Sequence, residues 1–380
     1  MQRIIVSALL AFSACASSAQ ESLQPFVADG KWGFCVASGG AKRASSPYDF
    51  TLNGREIKIP AQFFWVGHFT DGIARVTRTG RNNPSDLMSL DDAKWGWINE
   101  KGEEVIPCQY PYAGDFVHGI ACIGTGTKFG AINRENKIVV PVEYDFVNYI
   151  SEDRICVELN KKYGYYDRDG KCVVPLKYDR AGAFKNDFAP VSREKKAGWI
   201  DRAGTEIALG AFEEVGNFSE GLAVVRKDGA CGYADKSGKL VIGNFFREAQ
   251  SFSKGLAAVL EKGKYGYIDN TGEMVIEAKF DSARDFGLSG IACVQEGKTF
   301  AFITRDGEYA YPQRFSLASD MRNGSASVCL EGQKGCFILH EDGSITPEDC
   351  AFTGQINLIE PEQKTLPDTG NIMSKMFFRD

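Results

Sequence analysis

Short apolar runs alternate with turn residues along most of the chain. In residues 264–277, two runs rich in aromatic and β-branched side chains flank Asp269-Asn270-Thr271-Gly272. An Asp at the first position of such a turn accepts backbone N–H bonds, and a Gly at the fourth adopts the left-handed conformation of a bulged hairpin. A third apolar run, such as residues 255–259, comes before each such hairpin. The pattern predicts units of three short strands and no sustained helical stripe.

The pattern recurs with a period of 34 residues. Aligning the units on one glycine column gives Gly96, Gly130, Gly164, Gly198, Gly232 and Gly266. Helical tetratricopeptide repeats share this period, so the period alone does not decide the fold class. The turn chemistry favours β-structure. Pro107, Pro141 and Pro175 share one phase, where proline is excluded from a helix or a central strand, and they predict the end of the second strand.

The first unit is longer than the others. Its Lys31-Trp32-Gly33 lies 63 residues before Gly96, and the surplus falls in two Gly/Pro/Ser/Asp-rich stretches, residues 38–53 and 79–93. We interpret both as loops inserted between strands. Long inserted loops are places for a specific ligand contact, and a solvated excursion is the alternative.

The residues at the glycine column carry a family resemblance. The chain resembles the bacterial WG-repeat (KWG) family in Lys31, Trp32 and Gly33, in Lys94, Trp95 and Gly96, and, with drift, in Phe129, Gly130, Tyr163, Gly164, Gly198, Gly232, Tyr265 and Gly266. The resemblance covers residues 26–343, about eight units, followed by a C-terminal tail at 344–380. It implies a β-rich interaction scaffold and supplies no common catalytic motif.

A three-stranded unit cannot bury its apolar side alone, so its neighbours must cover it. Trp95 and Trp97 are predicted on one face of their strand and Ile98 on the other, which makes both faces apolar. We therefore predict an all-β fold in which tandem repeats stack as a β-solenoid-like array. A closed, β-propeller-like ring is the alternative.

The N-terminal residues have the layout of an export signal. Arg3 precedes an apolar run over residues 4–12 and a stretch of small residues over 13–19. Cleavage after Ala19 would remove residues 1–19 as a signal peptide. Alternatively, Phe12-Ser13-Ala14-Cys15 resembles a lipobox, which would make Cys15 a lipidated N-terminus. No other segment is long and apolar enough to predict a transmembrane helix.

Charge and composition narrow the partners. The net charge is −6, which disfavours nucleic acid as a partner. The three histidines, His68, His118 and His340, occupy different phases, and no hydrolase, metalloprotease or phosphate-loop motif is present. We therefore predict no catalytic residue, no metal site and no cofactor.

The cysteines are expected to be mostly free and buried. Eleven occur, without a C-x-x-C pair. Cys122 and Cys156 share a phase in adjacent units, so a disulfide between them is the alternative that export would permit.

These features predict an exported, non-enzymatic binding or scaffolding protein. Its expected ligand is a protein or an envelope polysaccharide, and its expected location is the periplasm, the outer membrane as a lipoprotein, or the medium. The alternative is an enzyme or enzyme-modulating module that uses the inserted loops of the first unit, where His68, Asp86, Asp91 and Asp92 lie.

Overall fold

The computed structural model describes residues 23–36, 56–80, 93–330, 332–333 and 335–347. Within these residues every regular element is a β-strand, and the strands form small antiparallel sheets, most of them four-stranded. We letter the sheets A to I in chain order. The prediction of an all-β array of tandem repeats is confirmed. The choice between an open stack and a closed ring stays a prediction.

The chain divides into two compact units, residues 1–138 and 139–380. The first unit contains sheet A, sheet B and strands β8 to β10 of sheet C. The strands are, in sheet A, β1 (Gln24–Ala28), β2 (Lys31–Val36) and β3 (Glu56–Phe63); in sheet B, β4 (Trp65–Val66), β5 (Ile73–Thr77), β6 (Trp95–Asn99) and β7 (Glu104–Tyr110); and in sheet C, β8 (Tyr112–Ala113), β9 (Ile120–Gly124) and β10 (Phe129–Asn133).

The boundary falls after the first residue of strand β11 (Ile138–Tyr144), and the second unit contains the rest of β11 and sheets D to I. The strands are, in sheet D, β12 (Phe146–Ser151), β13 (Arg154–Leu159), β14 (Lys162–Asp167) and β15 (Cys172–Tyr178); in sheet E, β16 (Arg180–Ala181), β17 (Phe188–Arg193), β18 (Lys196–Asp201) and β19 (Glu206–Phe212); in sheet F, β20 (Glu214–Val215), β21 (Leu222–Lys227), β22 (Ala230–Asp235) and β23 (Leu240–Phe246); in sheet G, β24 (Glu248–Ala249), β25 (Leu256–Glu261), β26 (Lys264–Asp269) and β27 (Met274–Phe280); in sheet H, β28 (Ser282–Ala283), β29 (Ile291–Glu296) and β30 (Thr299–Thr304); and in sheet I, β31 (Leu317–Ala318), β32 (Ser325–Cys329), β33 (Phe337–His340) and β34 (Ile345–Pro347).

Most sheets therefore have one strand more than the three that the pattern predicts, and sheets A and H have three. The additional strand is the first of its sheet and usually has two residues, such as Arg180–Ala181 in sheet E, which pairs with Ser192 and Val191. Two residues are too few to produce an alternating pattern.

The predicted hairpin turns are present. Asp269 Oδ1 accepts the backbone N–H groups of Thr271 and Glu273 at 2.9 and 3.0 Å, and Gly272 has a φ of +91°. In sheet C, where this glycine is replaced, Asn136 adopts a φ of +60°. Asn is the residue that tolerates this conformation best after glycine, so the hairpin survives the substitution.

The prediction that the prolines end a strand is wrong. Pro107 and Pro175 lie inside β7 and β15, and each of these strands is the last in its sheet. The pairing register also shifts there, because Trp97 pairs with Ile106 whereas Trp95 pairs with Tyr110. An edge strand with a bulge tolerates a residue that has no N–H to donate.

Both faces of the sheets are buried, as predicted. Trp97 and Ile98 are 1% and 0% exposed. Ile98 of sheet B packs with Phe34 and Phe63 of sheet A. In the second unit, Tyr233 of sheet F packs in the same way with residues of sheet G. The core is thus a series of apolar layers between consecutive sheets, which is how a repeat array buries its surface.

Candidate functional site: the first-strand edge

The signature glycines lie where the fourth strand of the same sheet crosses the third. A Cβ atom added at Gly164 would lie 2.5 Å from the carbonyl oxygen of Val174, and one at Gly266 would lie 2.6 Å from that of Ile276. Such approaches leave no room for a side chain. Gly96 and Gly198 meet the backbone of their fourth strands in the same way, and Gly33 meets the backbone of β3 in the three-stranded sheet A. Gly130 and Gly232 occupy the same position in β10 and β22.

The signature aromatic residues pair across the same bulge. Trp32 is the Cα partner of Phe63, Trp95 of Tyr110, Tyr163 of Tyr178 and Tyr265 of Phe280. Trp32 and Trp95 are 9% and 8% exposed. Phe129 makes an edge contact with Tyr112 at a ring distance of 5.2 Å. These rings are therefore occupied by packing within the repeat array.

The signature lysines connect neighbouring sheets in the second unit. Lys162 of sheet D lies 2.5 Å from Asp179, and the other carboxylate oxygen of Asp179 accepts the backbone N–H of Glu194 in sheet E at 2.7 Å. Lys264 and Asp281 repeat the arrangement, and Asp281 accepts the N–H of Gly297 in sheet H. The hydrogen bond from each lysine lowers the pKa of its aspartate. In the first unit, Lys31 lies over the Phe64 ring and the exposed Lys94 precedes β6.

A second connection between sheets escaped the sequence analysis. In four sheets of the second unit, the aromatic residue two positions after the signature aromatic position donates a hydrogen bond to a main-chain carbonyl 17 residues further on, in the next sheet. The four bonds, each of 2.8 Å, run from Tyr165 to Gly182, from Trp199 to Gly216, from Tyr233 to Gln250 and from Tyr267 to Arg284. The alternation of two aromatics around a glycine was the available signal.

These carbonyls belong to the segment that follows each first strand, which we call the first-strand edge. It comprises residues 67–69, 114–116, 182–184, 216–218, 250–252, 284–286 and 319–321. Its last residue is an apolar side chain, buried at every position given for sheets C and E to I. The residue before it varies in chemistry from sheet to sheet and is His68, Asp115, Ala183, Asn217, Ser251, Asp285 or Asp320. The side chain at this one position of the edge therefore differs in chemistry between sheets.

In the first unit, an arginine neutralises this variable position. Arg75 of β5 forms an ion pair with Asp115 at 3.2 Å and donates a hydrogen bond to the carbonyl oxygen of Ala113. Its guanidinium group also lies over the Trp95 and Trp65 rings, at 4.8 and 5.4 Å. Asp115 thus has a fixed cation inside the protein.

In the second unit, one edge carboxylate has a cation and its neighbour has none. Arg284 donates to Asp320 at 2.8 Å, and Arg322 approaches the other oxygen of Asp320 at 3.4 Å. Asp285 has no hydrogen-bond donor or cation among the described residues. Although Asp285 is exposed as a residue, the protein atoms around its carboxyl group desolvate it and, together with the charge of Asp320, raise its pKa to about 6. A perturbed carboxyl group of this kind marks a candidate binding position.

Several predicted features lie outside the described residues. They are the signal peptide at 1–19 with Cys15, the inserted loop at 38–53, Asp86, Asp91 and Asp92, and most of the C-terminal tail. Residues 79, 80 and 93 are the described part of the other inserted loop. His68 lies on the first-strand edge of sheet B. Over the described ranges, no three His, Cys, Asp or Glu side chains are grouped to hold a metal ion, and no helix could cross a membrane.

Cys122 and Cys156 are free thiols and form no disulfide with each other. Burial raises the pKa of Cys122 to about 12 and that of Cys293 to about 11. A thiol with so high a pKa is protonated at neutral pH and is a poor nucleophile. Cys156, Cys231 and Cys293 act as small apolar side chains in the layers between sheets, whereas Cys172 is exposed.

The WG containing repeat matches the sequence six times in succession. The matched residues are 95–126, 129–163, 163–196, 198–230, 232–265 and 265–300, which together cover more than half of the chain. The chain belongs to the WG-repeat family. The membership confirms the resemblance carried by the signature residues, and the geometry above gives those residues a physical role in this WG-repeat protein.

No curated protein matches the sequence. Among solved structures, the chain is similar to a eukaryotic initiation factor at 9% identity, with a TM-score of 0.45 and coverage of 86% of this chain and 95% of that one. It is also similar to the virginiamycin B lyase of Staphylococcus aureus at 14% identity, with a TM-score of 0.30 and coverage of 62% and 92%. A third similar structure is a dihydro-heme d1 dehydrogenase, at 10% identity, with a TM-score of 0.37 and coverage of 68% of this chain and 71% of that one. Likenesses at these TM-scores carry no argument about function.

Proposed function

We propose that this WG-repeat protein is an exported, non-enzymatic binding or scaffolding module whose ligand is a protein or a cell-envelope polysaccharide. The observation that carries the proposal is that the signature residues and the first-strand edge have different roles within each repeat. The signature residues are used to join strands and sheets, whereas the side chain presented at the first-strand edge varies between sheets. A rigid array with a variable edge suits recognition of an extended partner.

The chemistry of the described edge supports binding rather than turnover. In sheets F to I its variable side chains are an amide, a hydroxyl and two acids, Asn217, Ser251, Asp285 and Asp320. The arginines near the edge are paired with Asp115 and Asp320. The buried thiols are protonated at neutral pH because burial raises their pKa. The alternative, an enzyme or enzyme-modulating module, depends on the loops inserted in the first repeat.

Export is part of the proposal and is supported by the N-terminal pattern. The charge of Arg3, the apolar run and the small residues up to Ala19 suit a secretory signal. Mass spectrometry of the mature N-terminus tests this step. A chain beginning at Gln20 or at acylated Cys15 supports export, and an intact Met1 in the isolated cellular protein contradicts it.

Capture from a solubilised envelope fraction tests the binding function. The bait is the full mature chain, compared with an edge variant that combines Asn217→Ala, Ser251→Ala and Asp285→Ala. The matched control combines Lys161→Ala and Lys195→Ala, two exposed turn residues away from the edge. We expect a protein or polysaccharide that the wild type and the control retain and the edge variant loses. Protease treatment of the eluate distinguishes the two ligand classes.

Equal retention by all three baits would contradict the edge as the binding surface. Turnover of a defined envelope substrate by the wild type, abolished by deleting residues 79–93, would overturn the non-enzymatic proposal in favour of the alternative.

A further inference from the structure

We propose that Asp285 binds a guanidinium or ammonium group of a basic side chain supplied by a partner protein. This inference rests on the proposed binding function and names the chemistry of one contact on the first-strand edge. It comes from comparing two repeats that carry an aspartate at the same position, sheet C with Asp115 and sheet H with Asp285.

The two positions have the same surroundings in the apolar layer. Asp115 precedes Phe116, whose ring lies 5.1 Å from that of Trp97, and Asp285 precedes Phe286, whose ring lies 4.9 Å from that of Tyr267. Trp97 and Tyr267 occupy the same place in the third strand of the preceding sheet. The carboxylates therefore belong to one structural position seen in two repeats.

The source of positive charge differs between the two repeats. Arg75 is the Cα partner of Trp97, and its guanidinium group pairs with Asp115. The residue that pairs with Tyr267 in the same way is Ala258, which has no group that could reach a carboxylate. The internal cation of the first case is therefore missing in the second.

At the position in sheet H, the neutral side chain of Gln250 replaces the arginine as a hydrogen-bond donor but not as a cation. Arg75 also donates to the carbonyl oxygen of Ala113, and in sheet H the corresponding carbonyl, that of Ala283, accepts Nε2 of Gln250 at 3.0 Å. The residue that corresponds to Gln250 in sheet B is Gly67. An amide satisfies the carbonyl but supplies no charge to Asp285.

The other donors near Asp285 are already committed. The Tyr267 hydroxyl donates to the carbonyl of Arg284, and the Tyr233 hydroxyl donates to that of Gln250. The guanidinium group of Arg284 pairs with Asp320. Asp285 is thus an exposed carboxylate at the structural position where Asp115, in the first unit, is paired with an arginine. A planar cation from outside satisfies both its charge and its hydrogen bonds.

The test uses L-argininamide as the probe and the full mature chain as the receptor. Binding is followed by the ¹³C chemical shift of the Asp285 carboxyl group, with citrullinamide, which has the same shape and no guanidinium charge, as the control ligand. We expect a saturable shift with argininamide and none with citrullinamide. For Asp285→Asn, the affinity followed by backbone amide shifts should fall by about tenfold or more, because a charge-assisted pair is lost.

A second variant places the cation inside the protein. Gln250→Gly combined with Ala258→Arg copies the Gly67 and Arg75 pair of sheet B, and it should abolish argininamide binding by occupying Asp285. Gln250→Gly combined with Ala258→Met is the uncharged control and should still bind. Equal binding to wild type and Asp285→Asn, or to both double variants, would overturn the inference. Envelope capture that survives while argininamide fails to bind would refute this contact and leave the proposed function standing.

Discussion

Sheets D and F carry the same repeat with and without its full signature. In sheet D, Lys162-Tyr163-Gly164 is intact, and Lys162 pairs with Asp179 at the corner that leads to the next sheet. In sheet F the same positions hold Ala230, Cys231 and Gly232, and the corner residue is Arg247. The lysine and its acid are therefore absent together, whereas the glycine is present in both sheets.

The difference separates the parts of the signature by their physical necessity. The glycine is required because the neighbouring strand passes too close for a side chain. In sheet D, a Cβ atom added at Gly164 would lie 2.5 Å from the carbonyl oxygen of Val174. The lysine–aspartate pair is partly exposed, at 47% and 40%, and such pairs contribute little to stability. The aromatic position is intermediate, because Cys231 in sheet F stays fully buried and still pairs with Phe246. A repeat can thus lose its name-giving residues and keep its fold.

The largest expected effect breaks the glycine column. Gly164→Ala should lower the free energy of unfolding by about 3 kcal/mol, because the new Cβ forces two strands apart. Gly114→Ala is the matched control, since its Cβ would meet Cys122 at an ordinary 3.6 Å, and it should cost less than about 0.5 kcal/mol. Urea denaturation measures both. Equal losses would show that the crossing is not what selects glycine.

A smaller effect is expected at the hydrogen bonds between sheets. Tyr233→Phe leaves the carbonyl of Gln250 without its buried donor, which should cost about 1–2 kcal/mol in urea denaturation. Tyr309→Phe is the control. It removes a hydroxyl whose hydrogen bond to the Glu296 carboxylate is exposed to solvent, and it should cost less than about 0.5 kcal/mol. If the two variants are equally stable, the 17-residue connection contributes nothing specific.

The pH dependence of stability should report Asp285. Its pKa of about 6 exceeds the value near 3.9 of an unfolded chain, so the native state binds more protons and stability falls as pH rises from about 4 to 6. Asp285→Asn should remove this fall and be more stable than wild type at pH 7 by about 1 kcal/mol, after screening by solvent. An unchanged slope in Asp285→Asn would contradict the assignment.

The sequence was sufficient for features that depend on neighbours within one hairpin. The period, the Asp-x-x-Gly turns and the two apolar faces around Trp97 and Ile98 all follow from local patterns. The two-residue first strands have no pattern to detect, and the prolines were misplaced because an edge strand and a central strand look alike in sequence. The bonds from Tyr233 and its equivalents, and the unpaired charge of Asp285, depend on which sheet packs against which. Only tertiary structure provides that information.

The lysine–aspartate pair of the signature joins neighbouring sheets, and a double-mutant cycle in sheet F tests this role most directly. Ala230→Lys and Arg247→Asp, made singly and together, would restore in sheet F the pair that sheet D holds between Lys162 and Asp179. We predict that the double variant is more stable in urea than the two single effects combined would give, and that this coupling weakens with added salt. Strictly additive effects at low salt would contradict the claim.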